Sequence, residues 1–430
     1  MKAALPLVLA CIGATTSVAF AGDSAPPTCD VAHPTCGAAE CVDPRRRVGL
    51  LRDGASMPDV GGASFRYARF GRAVVFEALD GSGDALNFAP EVSSSFVSLG
   101  PAFGVRPTSV ARAAGCTRPS HNRAWIRAIG APRLHTVKDS PLTVALIEGL
   151  VRVDHEDIPN ARVVRLQLRA RANGFDCVVD PRKDRYLNHA MGALGTVAAN
   201  GRNTTGIRGV SRPSGIIVVD PGEDETHCIP LDHLAQALRC AVSAGADIIA
   251  YPRDGIPGEE AREVFATVFR EAEEAEAVVV MGAGNRETNL DCCPVWPTSF
   301  DGPAALTVTV YRPDGSPGYT GYGAATVDLG MPLSCIYTTG AESPSAYHGD
   351  FGWASGATAI AAGTLITMAS APAFRGCCAP QLRDLLVQFA VPPMNPNVRR
   401  GISPLGGELN LGFLSDPAVL ARRYCAAPAP

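Results

Sequence analysis

Continuous apolar runs that alternate with helix-length segments constrain the fold of this chain more than any other feature. These runs, apolar except for Thr143 and Asp247, lie at residues 142–147, 216–219, 247–251 and 277–281. Runs of this kind form strands that are buried on both faces of a parallel sheet. Helix-length segments lie between them at residues 231–243 and 259–276. The alternation predicts an α/β fold, with a doubly wound, mainly parallel sheet flanked by helices and joined by right-handed crossovers.

The carboxyl ends of the strands are where a sheet of this type carries its functional site. Glu148 directly follows the first apolar run, and Asn285 ends a Gly-Ala-Gly-Asn turn after the last run. Farther along, residues 357–369 carry no charge and predict a buried helix, with Ser355 near its start. Free backbone N–H groups at a helix start suit a serine nucleophile whose attack creates an oxyanion. An ordinary serine at the start of a packed helix is the alternative.

Composition and charge exclude several classes of partner. Apolar residues make up 46% of the chain and charged residues 19%, which is typical of a globular protein. The net charge of -4 gives no basis for binding nucleic acid or an anionic membrane surface. Beyond the N-terminus, no segment approaches the ~20 uninterrupted apolar residues of a membrane span. No CxxC pair or histidine-rich cluster has the spacing of a zinc site, so no metal is predicted.

The N-terminus predicts export. Lys2, the apolar run at residues 3–12 and the Ala-Phe-Ala sequence at 19–21 have the pattern of a signal peptide spanning residues 1–21. The mature protein is then expected to be secreted or periplasmic, which favours disulfide bonds. Of the 14 cysteines, Cys11 leaves with the signal peptide, so an odd number remains and one thiol is expected to be free or intermolecular.

The rest of the chain divides into unequal parts. Residues 22–120 form a cysteine-containing N-terminal region with short strand-like runs separated by glycine and proline, which could be a small separate domain. Residues 121–424 contain all the predicted chemistry, and residues 425–430 form a short tail.

Motifs in this larger part resemble, in the same order, those of the subtilisin-like serine proteases. The matching segments are residues 144–148 (VALIE, family VAVID), 189–199 (HAMGALGTVAA, family HGTHVAGTVAA), 282–285 (GAGN, family AAGN), 351–363 (FGWASGATAIAAG, family GTSMASPHVAG) and 407–410 (GELN, family closing motif). Each motif alone is weak, but their common order makes the resemblance specific. It covers residues 123–424.

The resemblance implies a serine endopeptidase with a catalytic triad. Ser355 takes the position of the nucleophile, His189 that of the general base, and Glu148 that of the aspartate that orients the histidine. Asn285 takes the position of the amide that binds the oxyanion, with the Ser355 N–H as the second donor. The implied substrate is a protein or peptide, and no cofactor is implied. Structural calcium is common in the family, although no acidic loop of this sequence identifies its ligands.

The chain departs from the family pattern at the implied triad. Glu148 replaces an aspartate and is one methylene longer. If side-chain length is the only difference that matters, the sequence alone predicts that Glu148→Asp raises activity. Trp353 replaces a glycine two residues before the nucleophile, which predicts a narrowed cleft. His155 matches a family histidine that is not catalytic, and we expect it at the surface.

A third departure concerns the segment that pairs with extended substrate in the family. Tyr251, Pro252, Arg253 and Gly255 occupy this segment and are therefore the candidate substrate-binding residues. Pro252 has no N–H and so weakens backbone pairing with substrate. The departures leave two hypotheses: an exported endopeptidase that acts through an acyl-enzyme, or a catalytically inactive pseudoprotease that binds or regulates.

The N-terminal region has the position of the family's inhibitory, fold-assisting propeptide. The resemblance implies that residues 22–120 pack on the catalytic domain. If they are removed, we expect cleavage between Cys116 and Trp125.

Overall fold

The sheet that the sequence predicts forms in the computed structural model, which describes residues 41–57, 65–78, 95–105, 116–130, 138–171, 174–201, 206–222, 228–311, 320–332, 335–390 and 409–425. The predicted signal peptide and the first half of the closing motif, residues 407–408, lie outside the described residues. The strands are β1 (Cys41–Leu51), β2 (Phe65–Phe70), β3 (Ala73–Ala78), β4 (Phe96–Val105), β5 (Thr143–Ile147), β6 (Val163–Arg171), β7 (Gly174–Val179), β8 (Gly215–Asp220), β9 (Ile229–Pro230), β10 (Ile248–Tyr251), β11 (Val278–Gly282), β12 (Ala305–Tyr311), β13 (Leu329–Pro332), β14 (Ile336–Thr339) and β15 (Tyr347–Phe351). The α-helices are α1 (Asn122–Ala128), α2 (Asn188–Ala198), α3 (Leu231–Ser243), α4 (Glu259–Glu274), α5 (Trp353–Ser370), α6 (Ala379–Gln388) and α7 (Pro417–Leu420).

The main sheet has eight strands in the order β13-β12-β11-β10-β5-β8-β6-β7. All neighbouring strands are parallel except β6 and β7, which form an antiparallel pair at one edge. This arrangement confirms the predicted doubly wound, mainly parallel α/β fold. The carboxyl ends of β5, β10 and β11 lie side by side, at the edge where a sheet of this type carries its site.

Helices cover both faces of this sheet because its central strands are apolar on both faces. In β5, Val144 and Leu146 pack in the core that contains α2 and α5, whereas Ala145 and Ile147 pack in the core that contains α3 and α4. Successive strand residues point to opposite faces, so an uninterrupted apolar run has to be covered on both sides. The helix predicted from the uncharged segment is α5, and it is buried along nearly its whole length.

The N-terminal region docks on the larger part through a second sheet, with the order β2-β3-β1-β4-β9. The last of these strands, β9, comes from the larger part and pairs antiparallel with β4. The N-terminal strands also contribute Val48, Phe70 and Val75 to the same core as α3 and α4. The described part of the N-terminal region therefore shares a sheet and a core with the larger part.

A buried polar cluster lies inside this docking interface. Arg46 on β1 is 1% exposed, and its guanidinium contacts Glu77 Oε1 at 3.1 Å and Asp232 Oδ1 at 3.5 Å. Arg46 Nη2 also lies 3.1 Å from His233 Nε2, and His233 Nδ1 lies 2.8 Å from the carbonyl oxygen of Pro221. Because a carbonyl only accepts, His233 carries its proton on Nδ1 and accepts from Arg46 through Nε2. The interface thus requires a neutral His233.

We expect the free energy of unfolding to fall as the pH drops below about 6.5, because His233 is held neutral in the folded chain. Burial lowers the pKa of His233 and the Arg46 charge lowers it further, against the opposing charges of Asp232 and Glu77. A group with a depressed folded pKa contributes stability above its unfolded pKa and loses it as the pH falls toward the folded pKa. His233→Gln keeps a donor and an acceptor but cannot titrate, so denaturant unfolding of this variant should depend less on pH. Parallel pH profiles for variant and wild type would contradict the assignment.

Disulfides tie distant segments together, as export favours. They include Cys116–Cys335, Cys177–Cys240 and Cys377–Cys425, with Cα–Cα distances of 6.0, 5.7 and 5.2 Å. The first fastens the segment before α1 to the residue before β14. Among the described residues, Cys378 is free, although its neighbour Cys377 is bonded.

His155 corrects one expectation, because it is buried and not on the surface. It is 2% exposed; its Nε2 lies 2.7 Å from the Ala346 carbonyl, and its Nδ1 accepts from the Asp157 N–H at 3.1 Å. These bonds use both ring nitrogens to fix the loop after β5, so the role of His155 is structural.

Within the described ranges, none of the helices is long and apolar enough to cross a membrane.

Candidate active site

The end of β5 and the starts of α2 and α5 bring three predicted side chains together. Glu148 directly follows β5, His189 is the second residue of α2, and Ser355 lies in the first turn of α5. His189 Nε2 lies 3.0 Å from Ser355 Oγ, and His189 Nδ1 lies 2.7 Å from Glu148 Oε1. The three side chains form a continuous series of polar contacts in the order serine, histidine, glutamate.

The contact between acid and imidazole is short but poorly aligned. Glu148 is 0% exposed, and its backbone N–H donates to the Val219 carbonyl at 3.1 Å, which fixes the start of the side chain. Oε1 comes within 2.7 Å of His189 Nδ1, yet neither atom meets the angular requirement of a hydrogen bond. A glutamate carboxylate lies one methylene farther from the backbone than an aspartate carboxylate. This difference accounts for a close approach from outside the line of the ring N–H.

The second oxygen of Glu148 meets an arginine. Arg253 Nη2 donates to Glu148 Oε2 at 2.8 Å, and Arg253 is itself 4% exposed. Burial raises the pKa of Glu148, but the Arg253 charge, the interaction with His189 and the Gly149 N–H together outweigh burial and hold that pKa below its usual value. The carboxylate is therefore ionised where it meets the imidazole, which is the state that stabilises an imidazolium.

The position of the imidazole proton follows from the acceptors around the ring. The ionised carboxylate of Glu148 only accepts, so His189 carries its proton on Nδ1 and leaves Nε2 as an acceptor. The Ser355 hydroxyl can donate to this Nε2 at 3.0 Å, or to the Pro252 carbonyl oxygen at 3.3 Å. The shorter contact is with the imidazole, which is the arrangement that a general base requires.

Two N–H donors lie beside the serine. The backbone N–H of Ala354 donates to Asn285 Oδ1 at 3.2 Å. Because an N–H needs an acceptor, this bond identifies the side-chain oxygen of Asn285 and leaves its NH2 available as a donor. The first hydrogen bond of the α5 ladder is donated by Gly356, so the Ser355 N–H lies ahead of the ladder. The Asn285 amide and this N–H are the two groups that the sequence predicts as oxyanion donors.

Trp353 occupies a backbone conformation that favours glycine. Its φ is 52°, in the left-handed region that bulky residues rarely adopt. Such a conformation costs about 1–3 kcal/mol and persists only where the surroundings impose it. The half-buried indole packs against the core around α5. Backbone strain is thus stored two residues before the serine.

The four residues predicted to bind substrate are placed differently. Tyr251 and Arg253 are 0% and 4% exposed, so their side chains do not line an open groove. Pro252 directs its carbonyl toward Ser355, as given above. A Cβ on Gly255 would lie 2.5 Å from Val295 Cγ2, so close packing requires glycine there. The Arg253 side chain in particular is paired with Glu148 in the interior.

The sequence did not identify the contacts that hold the site from outside. Arg253 and Glu148 are 105 positions apart, and no local pattern pointed to their partnership. Asn188, next to His189, accepts from the Ala341 N–H at 2.8 Å and donates to Glu342 Oε1 at 2.6 Å. These bonds connect the loop between β14 and β15 to the start of α2. No pattern in the sequence predicted them. In the described part of the chain, no group of three or more His, Cys, Asp or Glu side chains could hold a metal ion.

Comparison with known proteins finds similarity at the level of structure. No protein-family profile and no curated protein matches the chain. Among solved structures, the epidermin leader peptide processing serine protease EpiP from Staphylococcus aureus is similar with a TM-score of 0.61 and 14% identity, over 85% of this chain and 96% of that one. The prenylagaramide maturation protease PagA is similar with a TM-score of 0.50 and 18% identity, over 72% of this chain and 100% of that one. At these identities the likeness establishes the fold, which is subtilisin-like.

Proposed function

We propose that this chain is a serine endopeptidase that hydrolyses peptide bonds through an acyl-enzyme on Ser355. The observation that carries the proposal is the series of contacts through His189, 3.0 Å to the Ser355 oxygen on one side and 2.7 Å to the Glu148 oxygen on the other. A serine hydroxyl becomes a useful nucleophile when an oriented imidazole can take its proton. The likeness to solved serine proteases supports the same class of reaction.

The reaction follows from these positions. Ser355 Oγ attacks the carbonyl carbon of the scissile bond while its proton passes to His189 Nε2. The developing oxyanion accepts from the Ser355 N–H and the Asn285 NH2, and one such donor contributes about 3 kcal/mol in comparable sites. His189 then donates the proton to the departing amine. A water molecule repeats the sequence on the ester and releases the acid, while Glu148 keeps the imidazolium oriented throughout.

The substrate is a protein or peptide, and the export signal makes the enzyme secreted or periplasmic. EpiP and PagA are named for leader peptide processing and maturation, which favours a peptide substrate for a site of this geometry. When that substrate pairs with the segment after β10, one backbone hydrogen bond is missing because Pro252 has no N–H. The disulfides support an oxidising compartment.

The N-terminal region acts as a propeptide that assists folding. Its shared core with α3 and α4 and its strand pairing with β9 support this role. With cleavage between Cys116 and Trp125, the Cys116–Cys335 bond keeps the released piece attached. Reducing and non-reducing electrophoresis of the secreted protein would distinguish this arrangement from an uncut chain.

A pseudoprotease is the second candidate, and two observations favour it. The carboxylate approaches the imidazole outside hydrogen-bond alignment, and the strained Trp353 lies beside the serine. Misplacement of a catalytic group by about 1 Å can cost ~100-fold in rate. On this account the chain would bind a peptide in the cleft without cutting it.

Hydrolysis of an unstructured protein separates the two candidates. We expect the exported wild-type chain to cut it at internal bonds, because the His189 imidazole lies 3.0 Å from the Ser355 oxygen. Mass spectrometry of the fragments would show new internal termini. Binding of the same substrate without any new terminus, at every pH tested from about 6 to 9, would favour the pseudoprotease.

A further inference from the structure

Arg253 is a charged residue whose side chain is buried, which is uncommon in proteins. It follows β10 through Pro252, and its side chain is 3% exposed. Its Nη2 donates to Glu148 Oε2 at 2.8 Å, and its Nε lies 3.4 Å from the Ile147 carbonyl oxygen. The guanidinium thus contacts both the last residue of β5, Ile147, and the side chain of the next residue, Glu148.

The two neighbours of Arg253 also face the catalytic machinery. The Pro252 carbonyl oxygen lies 3.3 Å from Ser355 Oγ, and Asp254 Oδ1 accepts from the Asn285 N–H at 3.2 Å. Three consecutive residues therefore contact the Ser355 hydroxyl, the Glu148 carboxylate and the backbone N–H of Asn285 in turn. This segment holds the site together, although the family resemblance assigns it to substrate.

We propose that Arg253 is a positioning residue that makes a glutamate work as the acid of the triad. The inference rests on the proposed function, since it assigns Glu148 the role of orienting His189. Arg253 itself touches neither substrate nor the reacting atoms. It acts by fixing one oxygen of Glu148 so that the other faces the imidazole.

Geometry gives the first reason. A glutamate has one more rotatable bond than an aspartate. A glutamate carboxylate that contacts only the imidazole can therefore move away from it by a change of rotamer. Arg253 holds Oε2 while Oε1 lies 2.7 Å from His189 Nδ1. The hydrogen bond to Oε2 thus restricts the extra rotatable bond and keeps Oε1 close to the imidazole.

Electrostatics gives the second reason. Glu148 is fully buried, and an unpaired carboxylate at such a site is strongly destabilised and tends to take up a proton. A protonated Glu148 could no longer stabilise the imidazolium that forms when His189 takes the serine proton. The Arg253 charge keeps Glu148 ionised. It contacts Oε2 and leaves Oε1 for His189.

The test compares Arg253→Met with a matched arginine elsewhere. Arg383 on α6 has the same kind of surroundings, with Nε donating to the Ala305 carbonyl at 2.8 Å and Nη2 to Asp328 Oδ1 at 3.0 Å. We expect Arg253→Met to lower kcat/KM by about 100-fold and Arg383→Met to leave it near the wild-type value. Arg253→Lys keeps the charge but not the planar fork, so we expect an intermediate loss.

A double-mutant cycle shows whether Arg253 acts through Glu148. In the Glu148→Gln background, Arg253→Met should change kcat/KM by no more than about twofold, because the interaction is already gone. Full additivity of the two losses, with thermal unfolding of each variant unchanged, would overturn the proposal. If Arg253→Met does not fold, the same cycle is run with Arg253→Lys.

A spectroscopic readout separates this proposal from the proposed function. In Ser355→Ala protein, the Nδ1 proton of His189 can be followed by NMR without any catalysis. We expect its resonance to move or vanish in Arg253→Met and to stay in place in Arg383→Met. A resonance unchanged by both substitutions would overturn the positioning role, even if the wild type proves to be a protease. A resonance that responds in a chain that cuts nothing would keep the positioning role and reject the protease.

Discussion

Ser355→Ala should lower kcat for peptide hydrolysis by about 10⁶-fold, and His189→Ala should lower it by a similar factor. The two residues act as one unit, because the serine attacks only while the imidazole takes its proton at 3.0 Å. The Ser355→Ala/His189→Ala double variant should therefore be no slower than either single variant. Initial rates on one peptide substrate would measure this. Losses that multiply in the double variant would mean that the two side chains do not act together.

Glu148→Gln should lower kcat by about 10⁴-fold, as the comparable change does in another triad. A neutral amide stabilises neither the required tautomer of His189 nor its imidazolium, and it leaves Arg253 buried without a counter-charge. The measurement is kcat for wild type and variant over the same pH range, with circular dichroism to verify folding. Equal kcat values would mean that Glu148 does not serve the reaction.

Glu148→Asp is the matched control for this change, and the observed contacts reverse the expectation from sequence. Glu148 already reaches Arg253 at 2.8 Å and His189 at 2.7 Å, whereas an aspartate is too short to keep both contacts. We therefore expect the aspartate variant to be slower than wild type but faster than the glutamine variant, because it keeps the charge. A rate above wild type would mean that the length of Glu148 is a defect and that Arg253 does not compensate for it.

The fold could be predicted because its determinants are local and repeated. Residues 142–147 are apolar apart from Thr143, and such a run is typical of a strand covered on both faces. Residues 357–369 carry no charge, and only an interior helix suits them. The positions of Glu148, His189 and Ser355 at the ends of these elements then follow from the topology of a parallel sheet.

The contacts around the site could not be predicted, because each depends on long-range geometry. Arg253 lies 105 positions from Glu148 in the chain, and nothing in the local sequence distinguishes a buried arginine from one that binds substrate. His155 was expected at the surface because polar residues usually lie there, but two backbone partners satisfy its ring in the interior. Similarly, burial lowers the pKa of His233, and the Arg46 guanidinium that contacts its Nε2 comes from 187 positions away in the chain.

Covalent labelling with a fluorophosphonate probe tests the central claim most directly, namely that Ser355 is a nucleophile activated by His189. The exported chain is treated with the probe, digested and analysed by mass spectrometry, with Ser355→Ala and the heat-denatured chain as controls. The account predicts one adduct per chain, on the peptide that contains Ser355, with none in either control and much slower labelling in Glu148→Gln. A native, folded chain that stays unlabelled, or that is labelled equally after Ser355→Ala, would contradict it.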